Sequence, residues 1–232
     1  MRERLRALDG NARSIFLHLR LLERPADEAL LRKLTGLGPP PFQSARLRLE
    51  HAGLIKGNRN GRYVPPGVAW ELSDSGFDED AVRETHETIG LCLLKDPRRL
   101  REAAHHLLHG GRAVDGIQAA ERAGAKLRAA GRMEEALSIY AEALEHATAP
   151  DVERRLLEKV GELKEKSGKF DEAGKCYERV LGFDDLASTD RLRLFRKLGG
   201  IQQRRGENEA ARQTFEQALQ LLDGVSDVEE HL

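Results

Sequence analysis

The sequence predicts a mainly α-helical protein, with three short helices and a β-hairpin followed by a solenoid of stacked helix pairs. Two observations carry this. A pattern recurs three times in the second half: GRMEEALSIYAEAL from Gly131, GKFDEAGKCYERVL from Gly168 and GENEAARQTFEQAL from Gly206. Each copy has a small residue five positions after its glycine (Ala136, Ala173, Ala211), an aromatic four later (Tyr140, Tyr177, Phe215) and a Leu four after that (Leu144, Leu181, Leu219). Steps of four place all three on one helix face. The glycines lie 37 and 38 residues apart, room for two helices and two turns, and a fixed period of that size marks a solenoid. The second observation is that the first seventy residues hold three amphipathic segments and then two β-prone runs around an Asn/Gly-rich turn.

In order, Asn11 reads as the cap of a first helix ending near Glu23, with Ile15, Phe16, Leu19 and Leu22 at helical spacing. Arg24-Pro25-Ala26 breaks it. Asp27 caps a second helix with Leu30, Leu31 and Leu34 inward, stopped by Gly36 and Gly38. Pro39 to Pro41 read as a stiff connection, and a third helix runs from about Phe42 to Gly53 with Ala45, Leu49 and Ala52 on one face. Leu54-Ile55-Lys56 and Arg62-Tyr63-Val64 flank Gly57 to Gly61 as a hairpin. Three helices and a hairpin make a winged helix, here assigned to residues 1–76. Val68 to Leu72 extend it, and Ser73 to Asp80 form an acidic linker or cap.

Residues 77–111 read as a linker pair. One helix spans about Asp80 to Lys95, with Val82, Ile89, Leu91, Cys92 and Leu94 apolar. The next starts at Asp96-Pro97 and is stopped by Gly110-Gly111. Residues 112–232 form the solenoid, as 112–130 with 133–147, 151–167 with 170–183, and 188–205 with 208–222. The first of these helices has a bend at Gly124. Gly124, Gly161 and Gly199 each lie seven residues before a repeat glycine, where a missing side chain lets paired helices approach closely. Asp227 to Leu232 reads as the start of another helix, so the array is expected to continue.

The repeat unit resembles the tetratricopeptide repeat: Gly in helix A, Gly at the turn, then Ala, an aromatic and Ala-Leu in helix B. It departs from that family in its longer period and in having Leu127, Lys164 and Gln202 where an aromatic is usual. The run LRALDGNARSIFLHLRLLERP, then LEHAGLIKGNRNGRYVPPG, then REAAHHLLHGGRAVDGIQAAERAGAKLRAAGRMEEALSIYAEAL is similar to the segment after the nucleotide-binding core of bacterial STAND-type signalling ATPases, the class with maltose-regulator-like activators. The resemblance implies a winged helix that packs as a regulatory module and repeats that sense an inducer or partner protein. Some relatives have a nucleotide-contacting His just after the wing, where this chain has Val64-Pro65-Pro66, so no such contact carries over.

The chemistry of the chain points away from catalysis. No phosphate-binding Gly-x-x-x-x-Gly-Lys-Ser/Thr occurs, and Gly174-Lys175 lies in a repeat helix without the upstream Gly. No cofactor is expected. His105, His106 and His109 form HHxxH, but no third ligand completes a metal site locally, and His86-Glu87 lacks a second His. Glu134-Glu135 and Asp184-Asp185 sit at helix starts or turns, where they serve the helix dipole. Cys92 and Cys176 lack partners at motif spacing, which suits a reducing compartment. With a charged N-terminus and no long apolar run, the expected location is cytoplasmic. Net charge is near zero, but Met1 to Leu72 hold 13 basic and 7 acidic residues against 25 and 32 in the rest. Such asymmetry suggests two modules with different partners.

Helix-A positions predict a concave face offering Gln118, Glu121 and Arg128, then Arg155, Glu158 and Glu162, then Arg193, Arg196 and Gln203. The mixture suits a protein or peptide held by charge pairs and hydrogen bonds. The third helix and wing offer Gln43, Ser44, Arg46, Arg48, Lys56, Arg59 and Arg62, residue types that suit DNA. The expected function is a non-enzymatic regulatory and protein-interaction module. The alternatives are a DNA-binding transcriptional regulator with the repeats as sensor, or a piece of a larger STAND ATPase or kinase-linked protein.

Overall fold

The computed structural model describes residues 5, 7–58, 60–65 and 76–229, with side chains as far as Leu222. The chain divides into two compact units, Met1–Ala119 and Ala120–Leu232. The first contains α1 (Gly10–Leu21), β1 (Ala26–Asp27), α2 (Glu28–Thr35), α3 (Pro39–His51), β2 (Lys56–Gly57), β3 (Arg62–Val64), α4 (Glu79–Leu93) and α5 (Leu100–His109). Helix α6 (Ala113–Ala129) runs through the division. Helices α7 (Met133–Glu145), α8 (Pro150–Lys166), α9 (Phe170–Leu181), α10 (Ser188–Arg204) and α11 (Asn208–Glu229) complete the second unit.

Helix α1 starts earlier than expected because Asp9, not Asn11, is its cap: the Asp9 carboxylate accepts a hydrogen bond from the Ala12 N–H at 2.8 Å. Asp27 caps α2 as expected, accepting from the Leu30 N–H at 2.8 Å. The triple proline is the first turn of α3 rather than a connector. A helix's first N–H groups have no intrahelical acceptor, so prolines there forfeit nothing, and their fixed φ already suits the helix. The hairpin β2–β3 forms, and β1 joins it antiparallel, with Ala26 opposite Tyr63, giving the order β1-β3-β2. A two-residue strand after Pro25 has no alternating pattern to reveal it. At the hairpin turn the Asn58 side chain accepts from the backbone N–H of Asn60 and of Arg62, at 3.0 and 2.9 Å. The expected extension over 68–72 and the first residues of the expected linker lie outside the described residues.

One core unites the first unit. Ile15, Phe16 and Leu19 of α1, Leu31 of α2, and Phe42 and Leu49 of α3 pack with Leu54 and with Ile89 and Leu93 of α4. On α4 the buried apolar residues are Ile89 and Leu93, whereas Leu91 is exposed. Asp96 forms a local turn, accepting from the Arg98 N–H at 2.9 Å, so α5 begins at Leu100 and not at Pro97.

The second unit repeats one construction. Gly131, Gly168 and Gly206 have φ of +75°, +74° and +79°. At each turn the next N–H reaches back five residues: Arg132 to the Leu127 carbonyl (2.9 Å), Lys169 to Lys164 (2.8 Å) and Glu207 to Gln202 (2.9 Å). This helix stop needs the left-handed backbone that glycine adopts without strain. The helix-A glycines face the helix-B rings. A Cβ on Gly124 would sit 2.3 Å from Tyr140, on Gly161 2.8 Å from Tyr177, and on Gly199 2.6 Å from Phe215. Helix α6 is unbroken at Gly124. Tyr177, Val180, Leu157, Leu194 and Ile201 form a core with Leu144 and Leu181 packed against it. Leu219, at the corresponding position of α11, is 59% exposed. Helix α11 continues to Glu229, so residues 227–229 extend it rather than opening another helix.

Candidate partner-binding surface

Helices α6, α8 and α10 are the first members of the three pairs, and their polar faces are stitched together by opposite charges. Glu121 of α6 accepts from Arg155 of α8 at 2.8 Å, with Lys159 at 3.9 Å. Arg128 of α6 lies 3.6 Å from Glu162 of α8. Glu162 also accepts from Lys197 of α10 at 2.6 Å, Glu158 meets Arg193 at 2.7 Å, and Glu165 meets Arg204 at 2.9 Å. A groove of about 410 Å³ opens among Arg128, Asp151, Arg154, Arg155, Glu158, Lys159, Glu162 and Asp190. Glu162 is central to this ladder. Burial acts to raise its pKa, but the Lys197 hydrogen bond and the charges of Lys197 and Arg128 outweigh it and hold the carboxyl below its ordinary value.

Six of the nine residues expected on this face are thus joined in the ladder: Glu121, Arg128, Arg155, Glu158, Glu162 and Arg193. Arg196 and Gln203 are exposed on α10, and Gln118 is exposed on α6. Sequence reasoning missed Lys159, Lys197, Glu165 and Arg204. The signal was present: opposite charges recur three residues short of the repeat period, at 34 residues for Glu121/Arg155 and 35 for Glu162/Lys197.

The residues expected to suit DNA are engaged differently. Gln43 Nε2 donates to Glu28 at 2.9 Å, and Gln43 Oε1 accepts from Arg46 at 2.9 Å. Arg46 also forks onto both oxygens of Glu50 at 2.8 Å and lies over the Tyr63 ring. Arg48 pairs with Asp9. Ser44, Lys56 and Arg62 are exposed, and Arg59 lies outside the described residues.

A tetratricopeptide-repeat family model matches residues 155–185. They run from Arg155 within α8 through the turn at Gly168 and past the end of α9. This repeat is typically a non-enzymatic scaffold, and such repeats generally bind protein partners. None of the curated proteins matches the chain. Among solved structures, the chain is similar to a signal transduction ATPase with numerous domains (STAND) with a tetratricopeptide repeat sensor, from Pyrococcus horikoshii. The TM-score is 0.56 and the identity 13%, over 96% of this chain and 33% of that one. The chain therefore spans about a third of that protein's length. BtubC from P. vanneervenii aligns with TM-score 0.46 and 17% identity, over 85% of this chain and 78% of its own. A putative kinesin light chain with nearly identical repeats from Podosopora anserina aligns with TM-score 0.42 and 14% identity, over 94% and 99%. No helix among the described residues is long and apolar enough to cross a membrane.

Proposed function

We propose that the protein is a regulatory interaction module: α6, α8 and α10 offer a charged face to an extended protein segment, and the N-terminal helices and sheet form a winged helix that packs rather than reads DNA. The ion-pair ladder is the observation that carries this. Its members are partly exposed, and exposed pairs contribute about 0–1 kcal/mol each. A peptide bearing both charge signs can therefore exchange these pairs for its own at little cost, while the ladder holds the cations and carboxylates at fixed spacing in the meantime. That arrangement suits discrimination by charge pattern more than raw affinity. It suits nucleic acid poorly, since carboxylates interrupt every run of cations.

The packing role of the winged helix is supported by Arg46 and Arg48, the strongest base-reading candidates on α3, which face Glu50 and Asp9 within the chain. Releasing them toward bases means giving up those partners. The likeness to a STAND protein with a tetratricopeptide repeat sensor supports a role as the sensing part of a signal-transduction assembly. A mobility-shift titration with random duplex DNA at several salt concentrations tests the winged-helix half. The expected result is no saturable complex near physiological salt. Tight binding that falls steeply with salt, and that Arg46→Ala with Arg48→Ala weakens, overturns it.

A further inference from the structure

The HHxxH stretch left unassigned by the sequence gains its missing neighbour in the folded first unit. His105 and His109 lie one turn apart on α5, with ring centroids 4.5 Å apart and ring nitrogens within 4.8 Å of each other. His86, nineteen residues earlier in the chain, is on α4, which packs on α5. Its ring centroid is 5.9 Å from that of His105 and 5.5 Å from that of His109. A fourth ring, His106, is buried behind these, and its Nδ1 is 2.9 Å from Nδ1 of His86.

Those spacings can be compared with what a metal requires. A tetrahedral ion binds imidazole nitrogen at about 2.0–2.1 Å, which puts each ring centroid about 3.2 Å from the metal and neighbouring centroids about 5 Å apart. The three observed centroid separations, 4.5, 5.5 and 5.9 Å, lie on either side of that value, and side-chain rotation of His86 would bring its nitrogen to the other two. The backbone arrangement is already suitable: an i, i+4 pair on one helix faces a single ligand on its neighbour. We propose that His86, His105 and His109 form a binding site for a borderline divalent transition metal such as Zn²⁺, with His106 as the outer partner that orients His86. The hydrogen bond between the two Nδ1 atoms leaves Nε2 as the coordinating nitrogen of His86, the arrangement by which outer partners fix a ligand's tautomer. An all-imidazole donor set selects Zn²⁺, Co²⁺, Ni²⁺ or Cu²⁺ over Mg²⁺ and Ca²⁺, which prefer oxygen. Three protein ligands leave a fourth position open for water or a further donor. His105 and His109 are exposed, so the metal has a path in. Bound there, it would tie α4 to α5.

The experiment uses the full chain, stripped with chelator and titrated with Zn²⁺ by calorimetry and with Co²⁺ by visible absorption. The expected result is one equivalent of Zn²⁺ per chain, displacing Co²⁺ that shows an intense tetrahedral spectrum. Affinity should fall at least tenfold in His86→Ala and in the His105→Ala/His109→Ala double variant, and stay unchanged in His51→Ala, on α3. The double variant alters two exposed helix positions and should keep its helical circular dichroism, so it stands as a test even if His86→Ala disturbs the fold. Absence of a saturable one-equivalent site overturns the proposal. So does binding that the double variant retains, or binding that a folded His86→Ala variant retains at full strength.

Discussion

Adjacent glycines on α10 should respond to the same substitution with opposite sign. A Cβ on Gly200 meets nothing within 4 Å, whereas one on Gly199 would lie 2.6 Å from both Cε1 and Cζ of Phe215. Alanine is favoured over glycine inside a helix by about 1 kcal/mol, so Gly200→Ala should stabilise by roughly that amount. At Gly199 the same gain is opposed by a contact about 1 Å inside the ordinary carbon–carbon separation of about 3.5–4.0 Å. Forcing the ring of Phe215 back has the character of an overpacking change, which costs about 1–3 kcal/mol. Gly199→Ala should therefore be neutral to destabilising by about 2 kcal/mol, leaving the two variants about 1–3 kcal/mol apart. Urea titrations of the full chain, followed by helical circular dichroism and compared by midpoint, measure the difference. Truncating the ring should relieve it: in a Phe215→Leu background, Gly199→Ala should lose most of its penalty. If Gly199→Ala stabilises as much as Gly200→Ala, the close glycine–ring contact of the repeats is wrong.

Two further outcomes follow from charge. Glu162→Gln removes the carboxylate shared by Lys197 and Arg128. It should lower stability by up to about 1 kcal/mol, with the loss shrinking as salt is raised in matched thermal melts. His18 is 5% exposed; its Nδ1 lies 2.9 Å from the Ser14 carbonyl, and its Nε2 has no hydrogen-bond partner. Burial lowers its pKa below 6.5, against the Ser14 hydrogen bond, which raises it. The folded chain thus binds fewer protons here than the unfolded one, so stability is full above about pH 6.5 and is lost as pH falls below it, by at most about 1.4 kcal/mol per pH unit for one proton. His18→Leu should flatten the midpoint-versus-pH curve between 6.5 and 5; an unchanged slope would place the acid sensitivity elsewhere.

The helices of the second unit were legible because each copy writes its own punctuation. The turn glycine, the helix-A glycine and the helix-B ring stand at constant offsets, and the packing uses all three. Leu219 shares a helix face with Ala211 and Phe215 yet is exposed, because periodicity reports which face a residue is on and burial also needs a neighbour to cover that face. The first helix cap was displaced because Asp9 and Asn11 are both good caps, and only the fold decides which carboxylate or amide reaches an N–H. β1 escaped because two residues carry no period.

The candidate face was legible as positions on helix A but not as a ladder. The charge pairs join residues 34 or 35 apart, and no local window contains both partners. The histidine cluster was hidden for the same reason. HHxxH looked incomplete because its third member, His86, belongs to the preceding helix.

Binding of a protein segment to the face of α6, α8 and α10 can be tested on the full chain. The most direct measurement is a selection of random displayed peptides on the full chain, followed by titration of the selected peptides against surface variants. The selected peptides should share a charge pattern. They should bind at least tenfold more weakly to the Arg193→Glu/Arg196→Glu variant on α10, with no change for Gln217→Glu, which is exposed on α11. Selected peptides that bind both variants as tightly as the parent chain would contradict it.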